Sequence, residues 1–146
     1  MGPTALETYG IKVLKDNEQI QLGDIKLQLV HTPGHTEESS CLLMHDKNNQ
    51  QACLFTGDTM FLNEVGRPDL AVKTDLTVKD LASMLYNSIQ KIKKLDDNLR
   101  IYPGHGAGSS CGKAIGKGDF CTLGTQKQNN YALKANNQEL FINEIL

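Results

Sequence analysis

The stretch IKLQLVHTPGHT, residues 25–36, carries the reading of this fold. Ile25, Leu27 and Leu29 alternate with Lys26 and Gln28, the period of a strand buried on one face. That strand closes on Thr32-Pro33-Gly34-His35-Thr36. The same design returns in Phe55-Thr56-Gly57-Asp58-Thr59 and in Tyr102-Pro103-Gly104-His105-Gly106. Each has a strand end, a glycine, and then a side chain able to bind a metal ion. A strand end fixes the direction of the side chain, and the turn aims it at a common point. The glycine permits a sharp turn and a close approach of the backbone to a neighbouring group. Two imidazoles and a carboxylate suit zinc or iron(II), with the carboxylate able to bridge two ions. Taken singly, such a histidine is usually a satisfied surface or core residue, and Gly-Asp-Thr is usually a turn. Three such elements in order, each closing an expected strand, point to His35, Asp58 and His105 as metal ligands. His31 and His45 lack the pattern. His31 is expected to stabilise the loop before His35, and His45 to face solvent at a strand end.

Working outward, residues 11–14 read as a short strand, and residues 19–22 pair with 25–30 as a hairpin turning at Gly23-Asp24. The apolar runs at 40–45 and 52–56 form a second hairpin around a polar turn. A helix starts at Thr77, with Asp80 three residues on as in a capping box. Leu81, Met84, Leu85, Ile92 and Leu95 then fall on one helical stripe. Residues 100–102 form a strand ending at Pro103, and the Gly-rich stretch 104–124 reads as a long loop. A final helix is capped near Asn136, with Phe141, Ile142 and Ile145 facing inward. Strands first, then helices with one late strand, predict an α/β chain, α+β in its layering, with helices on one outer face of a sheet.

Composition narrows the function classes. The 146 residues favour one domain; they are 39% hydrophobic and 22% charged, with a formal charge of -2. The mean hydropathy is -0.37 and the pI near 6.1. No apolar run approaches the roughly 18 residues of a membrane span, the start lacks the pattern of a signal peptide, and no basic stripe suggests nucleic acid. Lys91, Lys93 and Lys94 read as a solvated helix face. Four cysteines, Cys41, Cys53, Cys111 and Cys121, form no Cys-x-x-Cys pair, so reduced thiols in a cytoplasmic protein are expected. Cys41 and Cys53 lie in apolar strand patterns and read as small core residues.

The segments His31-Thr32-Pro33-Gly34-His35-Thr36, Thr56-Gly57-Asp58-Thr59 and Pro103-Gly104-His105-Gly106 resemble the third, fourth and fifth motifs of the metallo-β-lactamase superfamily. Gly66-Arg67-Pro68-Asp69-Leu70 resembles the loop after the bridging aspartate in glyoxalase II relatives and persulfide dioxygenases. The stretches 108–113 and 122–127 are similar to bacterial members often fused to a rhodanese domain. The resemblance implies the C-terminal portion of an αββα sandwich, so that residues 1–146 form one incomplete metallo-β-lactamase-like domain. It implies that His35 and Asp58 are metal ligands. It matches His105 to the histidine that binds a second metal in dinuclear relatives but is no direct ligand in mononuclear iron dioxygenases. Arg67 matches a position on the glutathione side of the pocket, where it would bind a substrate carboxylate or else form a structural ion pair with Asp69 or another acid. Tyr131 matches a tyrosine beyond the last motif and is a candidate substrate contact.

The resemblance further implies a metal-dependent enzyme, most similar to a glutathione persulfide dioxygenase that uses Fe(II) and dioxygen to yield sulfite and glutathione. Zn(II) is the alternative metal, and a glyoxalase II-like thioester hydrolase the alternative enzyme. The loop at Arg67 and the Cys111 segment favour the dioxygenase. A third reading is a non-enzymatic chain that associates with other chains, through strand addition at an exposed sheet edge; association with a second copy is left open. The family's first signature, His-x-His-x-Asp-His, does not occur in the sequence. The chain alone is therefore expected to bind metal weakly and to be inactive.

Overall fold

The computed structural model describes residues 3, 10–70, 75–107, 110–112 and 116–146. Both expected hairpins form. β1 (Gln19–Leu22) pairs with β2 (Ile25–His31), and β3 (Ser40–His45) with β4 (Gln51–Gly57), all antiparallel, while β2 also pairs with β3. Two short strands, β5 (Met60–Phe61) and β6 (Glu64–Val65), make a separate ribbon. The chain then passes through a 3-10 turn at Pro68–Leu70 into helix α1 (Val78–Ile92). It returns as β7 (Arg100–Pro103), parallel to β4. Parallel neighbours require a crossover, and α1 supplies it. The six-stranded order is β1-β2-β3-β4-β7-β8, with β8 at Cys121–Thr122.

Helix α1 begins as its sequence dictates. Asp80 N donates to Thr77 Oγ1 (3.1 Å) and Thr77 N to Asp80 Oδ2 (2.9 Å), satisfying two amides that the first turn leaves unpaired. Ala82, Leu85, Ile89 and Ile92 are buried in one core with Leu43, Leu54 and Ile101 of the sheet, and Leu81 is buried as well. The last helix, α4 (Gln138–Ile145), completes this layer with Phe141, whose ring meets Tyr86 edge-on at 5.4 Å.

Several expectations are corrected. Residues 11–14 form no strand; the neighbouring chain makes backbone-to-backbone bonds to β2 at Asn17 and Glu18, and Asn17 turns away at φ 66°. Residues 104–124 are not one loop. Cys121 pairs with Ile101, and Thr122 caps α2 (Leu123–Asn129), which is followed by α3 (Tyr131–Lys134). The last helix is capped by Asn137 rather than Asn136, its side chain accepting from Leu140 N. His45 is buried rather than solvent-facing, because a register shift between Met44 and His45 sets it against Gln28 Oε1 at 2.9 Å. Lys91 is no idle surface charge: its Nζ pairs with Asp16 (2.7 Å) and donates to His31 O (3.1 Å). Met84 on α1 and Leu95, which lies beyond the end of that helix at Ile92, are only partly buried.

The alternation in β2 has an outcome of its own. Register pairs Gln28 with Leu43, Leu43 with Leu54, and Leu54 with Ile101, so these side chains share the face under α1. Ile25, Leu27 and Leu29 therefore lie on the opposite face, with Leu42, Phe55 and Tyr102. Cys41 and Cys53 are both buried, as expected, but on opposite faces. Among the described residues, no helix is long and apolar enough to cross a membrane.

Candidate metal centre

β2, β4 and β7 run in one direction, since β2 and β4 are each antiparallel to β3 and β4 is parallel to β7. Their C-terminal ends therefore open on the same edge of the sheet, and each carries one of the three glycine-ligand turns. Hydrogen bonds stitch the turns together. Thr32 and Thr59 hydroxyls meet at 2.8 Å, Thr56 Oγ1 donates to Met60 O (2.6 Å), and Gly104 N donates to Gly57 O (2.9 Å). These threonines are buried, so satisfying them fixes the geometry of the loops.

Gly34 serves packing rather than a bound group. A β-carbon there would lie 2.4 Å from Leu85 Cα, so only glycine lets the His35 turn sit on α1. Ser88 Oγ, from the same helix, donates to Pro33 O at 2.7 Å. His31 Nε2 lies 3.0 Å from Glu37 O and closes the loop around His35, the stabilising role expected of it.

His35 is buried, and its Nδ1 lies 2.8 Å from Arg67 O. A carbonyl oxygen can only accept, so Nδ1 is the protonated nitrogen. In the neutral ring Nε2 then carries a lone pair. That lone pair faces Asp58 Oδ2 at 3.7 Å, too far for a hydrogen bond. The other carboxylate oxygen, Oδ1, lies 3.1 Å from His105 Nε2. Asp58 is thus flanked by an imidazole on each side. Gly66 makes room for it: a β-carbon there would fall 1.8 Å from Asp58 O and 3.0 Å from His35 Cβ. His35, Asp58 and neighbours including Ser39 and Thr59 line an open cleft of about 340 Å³.

The structure thus brings His35, Asp58 and His105 together. Two imidazoles flanking one carboxylate are a donor set that fits a divalent cation. It does not bring the other two candidates into the cleft. The Arg67 guanidinium is engaged by Asp69 through Nε–Oδ1 (3.0 Å) and Nη2–Oδ2 (2.5 Å), and it lines a separate cavity with Val78, Ile145 and Leu146. An acid two residues away captures the guanidinium fork, which favours the structural ion pair of the two readings. Tyr131 donates to the buried Glu64 carboxylate. Burial, then that bond and charge, push its phenol far above the usual range, and it anchors α3 to β6. Conversely, a residue given no ligand role from the sequence lies at the site. Cys111 joins Asp58 and His105 in a trio whose donor atoms are all within 4.8 Å of one another. Its only local signal is a place six residues after His105 in a Gly- and Ser-rich loop.

Comparison with known proteins finds relatives of the fold. The chain is 34% identical over 97 residues to a hydroxyacylglutathione hydrolase of Dictyostelium discoideum, covering 64% of this chain and 33% of that protein. It is 34% identical over 103 residues to a probable polyketide biosynthesis zinc-dependent hydrolase of Bacillus subtilis, covering 70% and 40%. The chain spans less than half the length of the curated relatives it matches. A metallo-β-lactamase structure from Staphylococcus aureus superposes with a TM-score of 0.82 at 39% identity, over 92% of this chain and 39% of that one. ETHE1 from Myxococcus xanthus follows at 0.69 and 25%, over 91% and 50%. No protein-family model matches the chain. Three glycine-ligand motifs on one sheet edge, a mixed sheet layered with helices, and these likenesses together show that the chain belongs to the metallo-β-lactamase superfamily.

Proposed function

We propose that His35 and Asp58 hold a divalent metal, with His105 on the same rim as a ligand where a second ion binds, in an enzyme that acts on a glutathione-linked substrate, with persulfide dioxygenation as the leading reading. The observation that carries the metal site is the His35 Nε2 lone pair aimed at Asp58 Oδ2 across 3.7 Å. Two electron-rich atoms face each other there, and a cation between them turns repulsion into coordination. The Arg67 carbonyl acts as the outer-shell partner that fixes the ring. When bound, iron(II) supplies redox chemistry toward dioxygen, and zinc supplies Lewis acidity toward a thioester. The chain's own residues orient the ion at the strand ends and leave the cleft open beside it.

Likeness to ETHE1 and the loop at Gly66-Arg67-Pro68-Asp69-Leu70 support the dioxygenase. Likeness to a hydroxyacylglutathione hydrolase supports the thioester hydrolase equally well as a second reading. In either enzyme, Arg67 binds an anionic substrate only by exchanging Asp69 for it, and Tyr131 only by leaving Glu64. Metal content decides between the two: iron with glutathione-persulfide-dependent oxygen uptake supports the first, and zinc with cleavage of a glutathione thioester the second. Protein that takes up neither metal would overturn both. Because the sequence contains no His-x-His-x-Asp-His, we expect this chain alone to bind its metal weakly and turn over slowly. Stoichiometric iron and brisk oxygen uptake by the chain alone would contradict that expectation.

A further inference from the structure

Asp58 presents its two oxygens to two different neighbourhoods: Oδ2 faces His35, and Oδ1 faces His105 at 3.1 Å. The trio of close donor atoms is Asp58, His105 and Cys111, and His35 stands outside it. We infer that Cys111 is a metal ligand, completing with Asp58 and His105 a second position that shares the Asp58 carboxylate with the His35 position. This rests on the reading of Asp58 and His105 as ligands, and adds a thiolate to it.

The backbone supports the placement. Arg67 N donates to Cys111 O at 2.9 Å, while Arg67 O accepts from His35 Nδ1 at 2.8 Å. One residue's peptide groups thus tie the Cys111 loop and the His35 ring to either side of Asp58. Cys111 is half-buried, beside the cleft rather than in the bulk solvent. Nitrogen, oxygen and sulfur donors select a borderline-soft ion, zinc(II) or its stand-in cobalt(II), over magnesium or calcium. A tetrahedral zinc with bonds of about 2.0–2.3 Å holds its donors about 3.5 Å apart, so the trio closes on an ion by a shift of about 1 Å. The thiol binds as thiolate and gives its proton to solvent, so uptake of the ion releases a proton.

Cobalt(II) titration of the whole chain tests this. A thiolate on cobalt gives a charge-transfer band in the near ultraviolet. We expect that band in the unchanged protein and in Cys53→Ser, whose thiol is buried elsewhere, but not in Cys111→Ser. Cobalt affinity should fall at least about tenfold in Cys111→Ser, since even loss of an outer-shell partner costs that much. In the unchanged protein, bound cobalt should protect Cys111 from alkylation, read by mass spectrometry, so the inference can be tested even if a variant folds poorly. Cobalt bound without a band, or a band that survives in Cys111→Ser, would overturn the thiolate and leave the Asp58 site standing. A protein that binds no cobalt would overturn this inference and the metal reading together.

Discussion

The two faces of the six-stranded sheet are built by alternate residues of the same strands, yet they have opposite fates. Toward α1, Leu43, Leu54 and Ile101 are at most 2% exposed. On the far face, Leu29 is buried, but Phe55 is 41% exposed, Leu22 54% and Phe120 52%. Phe55, Tyr102 and Phe120 meet ring to ring there, with the Arg100 guanidinium over Phe120. The far face is nearly as apolar as the near one and differs in having no helix over it among the described residues. Burial is thus decided by what packs on a strand rather than by its own alternation. The proposed metal ligands belong to neither face; they follow the strand ends, on one edge of the sheet.

The comparison breaks most easily at paired positions on adjacent residues. Leu54→Ala should cost about 3 kcal/mol, from lost burial and the cavity left behind. Phe55→Ala, one residue on, should cost about 1 kcal/mol or less, because a partly exposed ring leaves little cavity. Urea unfolding of both variants checks this, and equal losses would mean that the faces are equivalent. Gly66→Ala should come next, at about 2 kcal/mol, since its methyl would meet Asp58 O at 1.8 Å and the backbone must move. Its metal affinity should fall as well, which calorimetry reads; unchanged stability would show that the loop yields freely.

A smaller effect concerns the pair that ties the chain before β1 to α1. Burial raises the Asp16 carboxyl, but hydrogen bonds from Lys91 and from His31 N outweigh it and hold it below the usual carboxylate range. A depressed carboxyl contributes stability above its ordinary value, and that contribution is lost as pH falls through the lowered one. Lys91→Met should therefore cost about 0.5 kcal/mol at neutral pH for this half-exposed pair. The gap from the unchanged protein should close in acid; a gap constant down to pH 2 would exclude the ion pair as its cause. Smallest is a difference in thiol reactivity. Burial pushes Cys41, under α1, up to about 11, and raises Cys53 on the far face less far. Cys53 should therefore alkylate before Cys41 in native protein, as peptide mapping would show.

What was legible in the sequence follows from how local each cause is. The turns at Gly34-His35, Gly57-Asp58 and Gly104-His105 and the Thr77 cap are each set within a few residues. Their alignment on one edge follows from strand direction. Which face of β2 the helices cover was not legible, because Leu27 and Leu29 satisfy the alternation as well as Val30 does. Helices α2 and α3 were hidden by Gly124, which reads as a breaker but sits in a helix against Asp97, where a β-carbon would have 3.2 Å. The burial of His45 depends on a one-residue bulge, and the approach of Cys111 to Asp58 on a backbone bond from Arg67, 44 positions earlier. Neither leaves a mark in the local pattern.

The measurement that bears most directly on the central claim is calorimetric zinc and iron(II) binding to the unchanged chain and to Asp58→Ala. Asp58 is a third exposed, so its loss should leave the fold intact. If its carboxylate joins the two imidazoles through metal, affinity should fall by about a hundredfold or more, beyond the loss of any outer-shell partner. Equal affinity in the two proteins would place the metal elsewhere and contradict the account.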